Sequence, residues 1–351
     1  MEAAVEPTPA TTAPGAPPEG VVLSVRDLHT NFYSKSAVVQ AVRGVSFELA
    51  RAEKLGIVGE SGSGKSALAL SILSLIESPG RVVSGEVWLN GRDLRRLSDR
   101  RMQRIRGKEI SLVFQDPMSA LDPVKRIGDQ LTEGILWHTP KLGRKAARKR
   151  AVELLKEVEI PLAERRLDDY PHQYSGGMRQ RAMIAIALAS EPSVLIADEP
   201  TTALDVTTQA QVLELLERLS TEHHAAIILI THNLGIVAEF CDTVQVMYAG
   251  RTIERAKTVD IFARPVHPYT EALLESIPRP DRLQRGPLPS IPGMPPNLAA
   301  LPQGCSFEAR CPLGMGREIC RDVTPPMVRF DSSFAECHFA EERRTGAEIP
   351  A

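Results

Sequence analysis

The chain has 351 residues, of which 43% are hydrophobic and 25% are charged, with a formal net charge of -2 at pH 7. This composition predicts a globular protein with one large domain and an appendage. The balanced charge argues against general nucleic-acid binding, which needs a strongly basic face. No apolar run reaches the roughly 18 to 20 residues of a membrane-spanning helix, so the chain itself is not expected to cross a bilayer.

The N-terminal segment, residues 1–20, is rich in Ala, Pro and Thr. It lacks the basic start and apolar stretch of a secretory signal. We therefore predict a disordered tail on a protein of the cytosol.

The first elements predict a strand–loop–helix unit. Residues 21–25 and 41–49 have the patterns typical of strands, and residues 54–58 form an apolar strand that leads into a glycine-rich turn. Apolar residues at helical spacing follow over 64–76. This order places the glycine-rich turn between a strand and a helix.

That turn, residues 59–66, fits the phosphate-binding pattern G-x-x-x-x-G-K-[ST]. Its glycines let backbone N–H groups surround phosphates, and the helix N-terminus favours an anion. Lys65 is predicted to pair with the outer phosphates and Ser66 to ligate Mg²⁺. A chance glycine-rich turn is the alternative, and the flanking strand and helix argue against it. The candidate nucleotide-binding residues here are Gly59, Ser61, Gly62, Ser63, Gly64, Lys65 and Ser66.

After a basic stretch over 95–108, residues 110–114 again predict a strand, and the segment to about Tyr170 is predicted to be mostly helical. Farther along, residues 193–197 and 225–230 are short apolar runs on either side of a helical pattern over 207–219. This alternation is typical of a parallel sheet with crossover helices, and residues 243–249 predict one further strand.

The strand at 193–197 runs into two carboxylates, Asp198 and Glu199. Ligands of open α/β sheets bind at such strand ends. We expect Asp198 to hold Mg²⁺ through water and Glu199 to polarise the attacking water in phosphoryl transfer. Solvated strand-end carboxylates are the alternative, so this assignment depends on the phosphate loop.

About twenty residues before Asp198 the chain reads Ser175, Gly176, Gly177, Met178, Arg179, Gln180. This segment resembles the signature of ATP-binding cassette (ABC) proteins, and small residues at a helix start can offer N–H donors to an anion. The resemblance implies a P-loop NTPase of the ABC type, with a RecA-like core sheet, a helical subdomain and an antiparallel β subdomain. It also implies that Ser175, Gly176, Gly177 and Gln180 reach ATP held by an opposite subunit.

Other roles follow from the resemblance alone. Gln115 matches the glutamine that senses the nucleotide and its Mg²⁺ and meets the membrane subunit, and Ala203, Leu204 and Asp205 match the partner-contact loop. His232 matches the switch histidine that contacts the γ-phosphate and orients Glu199. Outside this context His232 is an ordinary strand-end histidine.

Phe32 or Tyr33 is expected to stack on the adenine. The sequence does not choose between them, and for each a half-buried strand aromatic is the alternative.

Residues 114–123 and 267–270 look like those of oligopeptide/dipeptide importer ATPases. The resemblance implies a nucleotide-binding domain over 21–266, with a helical subdomain at approximately 117–190, and a Pro-rich C-terminal extension over 267–351. The implied function is an ATP-hydrolysing subunit that powers an importer of di- or oligopeptides. An importer ATPase for nickel or another small solute, and a soluble non-transport ABC ATPase, are the alternatives.

The implied partners are a second ABC ATPase in a heterodimer, two transmembrane permease subunits and, indirectly, an extracytoplasmic substrate-binding protein. The implied location is peripheral, on the cytoplasmic face of the cell membrane. A regulatory, non-hydrolysing role is a further hypothesis, and the presence of Glu199 and His232 argues against it.

Four cysteines, Cys305, Cys311, Cys320 and Cys337, cluster near the C-terminus. In a reducing cytosol such a group points to a metal or cluster site. The absence of a close C-x-x-C pair favours a [4Fe–4S] cluster, with a Zn²⁺ site and unligated thiols as alternatives. Some peptide-importer ATPases resemble cluster-binding proteins in this extension.

Overall fold

The computed structural model describes residues 15, 17–202, 204–277 and 290–347. Most of the predicted N-terminal tail, Ala203 of the partner-contact loop and the prolines of 278–289 lie outside the described residues.

Two sheets organise the chain. A four-stranded antiparallel sheet has the order β2-β1-β4-β5, and an eight-stranded sheet has the order β11-β12-β10-β9-β3-β8-β7-β6. The strands are β1 Val21–Tyr33, β2 Val38–Ala50, β3 Lys54–Val58, β4 Gly80–Leu89, β5 Arg92–Asp93, β6 Ile110–Val113, β7 Val194–Asp198, β8 Ala226–Ile230, β9 Thr243–Tyr248, β10 Arg251–Lys257, β11 Met327–Phe330 and β12 Ser333–Glu336.

The second sheet is parallel from β6 to β9 and antiparallel from β9 to β11. Every residue of β7 and β8 is buried, as expected for parallel strands covered by helices on both faces. The predicted α/β architecture, with a parallel core sheet and an antiparallel β unit, is confirmed. The carboxyl ends of β3, β6, β7 and β8 meet at one edge of this sheet.

The helices are α1 Lys65–Ile72, α2 Asp99–Ile105, α3 Pro117–Ala120, α4 Ile127–His138, α5 Arg144–Glu157, α6 Ala163–Arg166, α7 Gly176–Leu188, α8 Val206–His223, α9 Leu234–Phe240, α10 Thr258–Ala263, α11 Pro268–Glu275, α12 Glu318–Asp322 and α13 Ala340–Thr345. Helices α3 to α7 follow one another between β6 and β7, so the region predicted to be helical is helical.

Several element bounds differ from the prediction. β1 continues to Tyr33 instead of ending at Val25, because a bulge with Asp27 at φ 46° interrupts its alternation without ending the pairing. α1 ends at Ile72 rather than at residue 76, since Ser74 adopts the left-handed conformation at φ 52°.

The C-terminal segment, residues 290–347, builds directly onto the core sheet. β12 pairs with β10 through Glu254 opposite Ala335, and β11 completes a hairpin. The buried ring of Phe307 packs edge-on against Tyr248 of β9 and Tyr269 of α11. Phe307 therefore shares its hydrophobic core with strands of the parallel sheet.

Candidate nucleotide site

The phosphate loop fills the turn between β3 and α1. Gly59, Gly62 and Gly64 have φ values of 153°, 78° and 101°. A Cβ on Gly59 would lie 2.2 Å from the carbonyl oxygen of Met247, and one on Gly64 would lie 2.2 Å from that of Ala41. Because no side chain fits between the loop and these backbones, glycine is required at both positions.

Lys65 directs its ammonium group into the loop. Its Nζ donates to the carbonyl oxygens of Gly59 at 2.7 Å and Glu60 at 2.9 Å, and lies 3.4 Å from Ser63 Oγ. Burial lowers the pKa of Lys65, while the charges of Glu199, Asp198 and Glu60 act to raise it. The loop thus surrounds a buried cation, an arrangement suited to an anionic ligand. Ser61 and Ser66 are exposed beside it.

Asp198 ends β7 as a buried carboxylate. Its Oδ1 is buried without a hydrogen-bond partner in the described part of the chain. Burial raises the pKa of Asp198, and a hydrogen bond with Ser66 and the charge of Lys65 act in the opposite direction. An unpartnered carboxylate oxygen next to a hydroxyl is a donor set that suits Mg²⁺.

Glu199, the next residue, is held from three directions. Its Oε2 accepts hydrogen bonds from Gln115 Nε2 and Thr202 Oγ1, each at 2.9 Å, and its Oε1 lies 3.3 Å from His232 Nδ1. Its backbone N–H donates to Ile230 O at 2.8 Å while its φ is 47°. A left-handed glutamate at a strand end is a strained conformation of the kind found at functional sites.

The structure therefore brings the predicted Gln115, Asp198, Glu199 and His232 together at the carboxyl edge of the sheet. Thr202 is a contact that the sequence reasoning missed. The sequence feature that could have identified Thr202 is its position three residues after Glu199, in the turn that follows the strand.

The signature residues lie at the start of α7. Ser175 caps the helix by accepting from Met178 N at 3.3 Å, and Gln180 is buried with no hydrogen-bond partner for its Nε2 among the described residues. Asp205 caps α8, accepting from Thr208 N at 2.9 Å and from Thr208 Oγ1 at 2.7 Å. A Cβ on Gly177 would lie 2.7 Å from Thr208, so the starts of α7 and α8 touch.

Within the described residues, no hydrogen bond joins Ser175, Gly176, Gly177 or Gln180 to the phosphate loop of the same chain. The structure thus assembles the phosphate loop with the strand-end carboxylates and leaves the signature residues outside that group.

Comparisons with known proteins place this site in a family. Residues 42–202 match the family described as "ABC transporter", and residues 253–320 match "Oligopeptide/dipeptide transporter, C-terminal region". A probable peptide ABC transporter ATP-binding protein of Sinorhizobium fredii is 51% identical over 91% of this chain and 95% of its own length. The chain belongs to the ABC transporter family.

Other similar proteins also carry names from peptide transport or from ATP-binding cassettes. The dipeptide transport ATP-binding protein of Bacillus subtilis is 50% identical over 93% of this chain and 97% of its own length. The oligopeptide transport ATP-binding protein of Salmonella typhimurium is 48% identical over 91% and 94%. A dimeric ATP-binding cassette solved in a post-hydrolysis state with ADP and Pi has a TM-score of 0.61 and 28% identity, covering 67% of this chain and 98% of that one.

In this ABC protein the two candidate adenine-stacking aromatics are both half-buried. Phe32 packs on Gly80, where a Cβ would lie 2.6 Å from its ring. Tyr33 has the guanidinium of Arg81 at 4.8 Å from its ring centroid. Each ring already has a contact on the antiparallel sheet.

The four C-terminal cysteines line one small cavity, and all are free thiols. Backbone N–H groups point at the sulfurs, with Gly314 N 3.2 Å from Cys311 Sγ and Phe339 N 3.4 Å from Cys337 Sγ. A Cβ on Gly314 would lie 3.2 Å from Cys320 Sγ and 3.4 Å from Cys311 Sγ. Burial raises the pKa of Cys305 to about 12 and that of Cys337 to about 11.

The described residues contain no set of three or more His, Cys, Asp or Glu side chains in a geometry that could hold a metal ion. The described residues therefore give no support to the predicted [4Fe–4S] cluster or to the Zn²⁺ alternative, beyond the fact that the four thiols line the same cavity. Among the described helices, none combines the length and apolarity needed to cross a membrane.

Proposed function

We propose that this ABC protein is the ATP-hydrolysing subunit of a membrane importer for di- or oligopeptides. The observation that carries the ATPase assignment is Glu199, fixed by Gln115, Thr202 and His232 beside the buried Asp198. The relatives named for dipeptide and oligopeptide transport support the peptide class.

The phosphate loop binds the nucleotide. Lys65 exchanges its loop carbonyl contacts for the outer phosphate oxygens, which lets its buried charge offset their negative charge. Asp198, Ser66 and Gln115 would hold Mg²⁺, which would neutralise charge on the phosphates. Catalysis in such a site depends mainly on positioning and electrostatic stabilisation.

Glu199 orients the attacking water and takes up its proton at the carboxylate. Two hydrogen bonds fix Oε2, so Oε1, on the His232 side, is the oxygen available to the water. His232, 63% exposed at its side chain, is free to turn towards the γ-phosphate. Gln115 links this carboxylate to the surface that carries Phe114 and Met118, both exposed.

Partner subunits complete the proposal. The signature residues Ser175, Gly176, Gly177 and Gln180 reach ATP on a second, related ATPase subunit, with Asp205 at the contact. Two transmembrane permeases receive the motion through Gln115, and an extracytoplasmic binding protein delivers the peptide. The chain acts at the cytoplasmic face of the cell membrane as a peripheral subunit.

A Glu199→Gln variant tests the catalytic assignment in the assembled complex. Gln keeps the shape but cannot accept the water proton, so we expect ATP turnover to fall by about a hundredfold or more while ATP still binds. Glu214→Gln, on the exposed side of α8, is the matched control and should keep wild-type turnover. Wild-type turnover in Glu199→Gln would remove Glu199 from the mechanism.

The substrate class needs a separate assay. Proteoliposomes that contain the complete importer should take up a labelled dipeptide or oligopeptide in an ATP-dependent manner. Uptake of nickel without peptide uptake would move the protein to the alternative importer class. If no permease co-purifies with the chain, the soluble ABC ATPase alternative replaces the importer.

For the cysteine cavity we propose a [4Fe–4S] cluster held by Cys305, Cys311, Cys320 and Cys337, with Zn²⁺ as the alternative. The four thiols that line one cavity, and the N–H groups near the sulfurs of Cys311 and Cys337, support it. Such a ligated group would stabilise a small Pro-rich segment. Anaerobic purification should give about four irons with matching sulfide per chain, lost in Cys311→Ser. One zinc without iron, or neither metal, would refute the cluster.

A further inference from the structure

The second residue of the phosphate loop, Glu60, is bound by the C-terminal segment. Arg310 donates from Nη1 to Glu60 Oε2 at 2.7 Å and from Nη2 to Oε1 at 2.9 Å. The Arg310 side chain is 4% exposed and that of Glu60 is 27% exposed. A two-pronged contact with little solvent access fixes orientation as well as distance.

Arg310 is itself held in place from the segment that carries it. Its Nε donates to Pro292 O at 2.8 Å and its Nη2 to Ile291 O at 3.3 Å. The guanidinium also lies 5.9 Å from the ring centroids of Tyr248 and Phe307. These contacts orient the guanidinium group of Arg310 towards the Glu60 carboxylate.

The backbone of Glu60 has a second anchor. Its N–H donates to the hydroxyl of Tyr269 at 2.8 Å. Tyr269 is fully buried, with its ring centroid 4.6 Å from that of Tyr248. The carboxylate and the amide of one loop residue are therefore both tied to groups behind the loop, and the carbonyl of that residue accepts from Lys65.

We propose that Arg310 is a positioning residue of the nucleotide site, which holds the phosphate loop through Glu60 in the conformation that receives the ATP phosphates. The C-terminal segment then contributes a residue that fixes the conformation of the nucleotide site. This inference rests on the proposed ATP-binding function. The loop binds phosphate with backbone N–H groups and Lys65, so a small displacement of its second residue misdirects the donors that follow.

A second two-pronged Arg–Glu ion pair, away from the phosphate loop, supplies the control. Arg251 donates from Nε and Nη2 to Glu336 at 2.8 and 2.7 Å, and it joins β10 to β12 of the C-terminal segment. Neither side chain hydrogen-bonds to residues 59–66 in the part of the chain that the structure describes. Loss of either pair should loosen the segment, and only loss of Arg310–Glu60 should affect the loop.

The test compares two mutant cycles in the full-length chain. The first contains Arg310→Gln, Glu60→Gln and the double variant, and the second contains Arg251→Gln, Glu336→Gln and their double. For each protein, ATP affinity is measured by calorimetry and Tm by thermal unfolding. Arg310→Lys is added because it keeps the charge without the planar fork.

We expect Arg310→Gln and Glu60→Gln each to weaken ATP binding by about tenfold, with no further loss in the double variant and a smaller loss in Arg310→Lys. The variants of the second pair should lower Tm while ATP affinity stays within about twofold of wild type. In the assembled complex the KM for ATP should rise in the first cycle only.

Wild-type ATP affinity in folded Arg310→Gln or Glu60→Gln would overturn the inference, and so would an equal loss of affinity in both cycles. If Arg310→Gln does not fold, Glu60→Gln and Arg310→Lys decide the matter. A wild-type chain that fails to bind ATP would instead refute the proposed function, which separates the two failures.

Discussion

Acid should destabilise the folded chain through His267. This side chain is buried at the start of α11, where its Nδ1 accepts a hydrogen bond from Tyr269 N at 3.0 Å. A nitrogen that accepts cannot carry a proton, so the folded state requires the neutral ring. Burial, together with the nearby charge of Arg343, lowers the pKa of His267 to about 3.

The sign and size of the effect follow from the two pKa values. In the unfolded chain His267 titrates near 6.5, so below that pH the unfolded state binds a proton that the folded state does not. The free energy of unfolding therefore decreases as the pH is lowered from about 6.5 to about 3. At roughly 1.4 kcal/mol per pH unit, His267 removes about 2 kcal/mol between about pH 8 and about pH 5.

His267→Asn isolates this contribution. Asn can still accept the N–H of Tyr269 as a helix cap, but it does not titrate. Urea unfolding of the full-length chain at about pH 8 and about pH 5 gives the loss of stability on acidification for each protein. We expect the variant to lose about 2 kcal/mol less than wild type, although the smaller side chain lowers its stability at both pH values.

Glu254 titrates beside His267 and must be considered. Its carboxylate accepts from the backbone N–H groups of Val266 and His267, and burial raises its pKa. A raised carboxyl pKa favours the folded state as pH falls, which opposes the effect of His267. Because Glu254 is present in both proteins, the difference between them still reports His267. Equal losses on acidification would refute the reasoning.

Three further predictions, one of them with a control variant, concern other parts of the structure. Gly59→Ala should weaken ATP binding by tenfold or more in calorimetry, because the added Cβ would clash with Met247 O. The control Gly91→Ala, at φ 74° with nothing within 4 Å of the added Cβ, should cost only about 1 kcal/mol of stability and leave ATP binding intact. Thr202→Val removes one hydrogen bond to Glu199, so ATP turnover of the complex should fall by about tenfold with little change in KM. Leu216→Ala, on the buried face of α8, should lower the free energy of unfolding in urea by about 2 to 5 kcal/mol.

The sequence could predict the centre of the site because its information is local. The glycines and Lys65 lie within eight consecutive residues, and Asp198 and Glu199 end an apolar strand. Gln115 and His232 were assigned from the resemblance, and the structure places both at the carboxyl edge that the parallel strands share. At this site the local sequence patterns agree with the fold, so the resemblance and the residue chemistry predicted the same nucleotide site.

The rest could not be predicted, since it depends on contacts between distant parts of the chain. Glu60 and Arg310 are 250 residues apart, and neither position has a local pattern that marks it for the other. The sequence also missed β4, whose apolar residues are interrupted by Ser84, Gly85 and Glu86, and the short strands β11 and β12. The cysteine spacing suggested a ligand set, but only the fold shows that the four thiols line one cavity.

The topology also bears on the proposed pairing with a second ATPase subunit. α7 ends at Leu188 and β7 begins at Val194, so the C-terminal end of α7 lies near the amino edge of the sheet and its start is directed the other way. α1 starts at the carboxyl edge, directly after β3. The signature residues and the phosphate loop thus face the same side of the molecule without meeting. The proposed related partner subunit, placed by a pseudo-twofold axis, would put each signature over the other chain's loop. Two ATP molecules bound between the subunits would then receive donors from both chains.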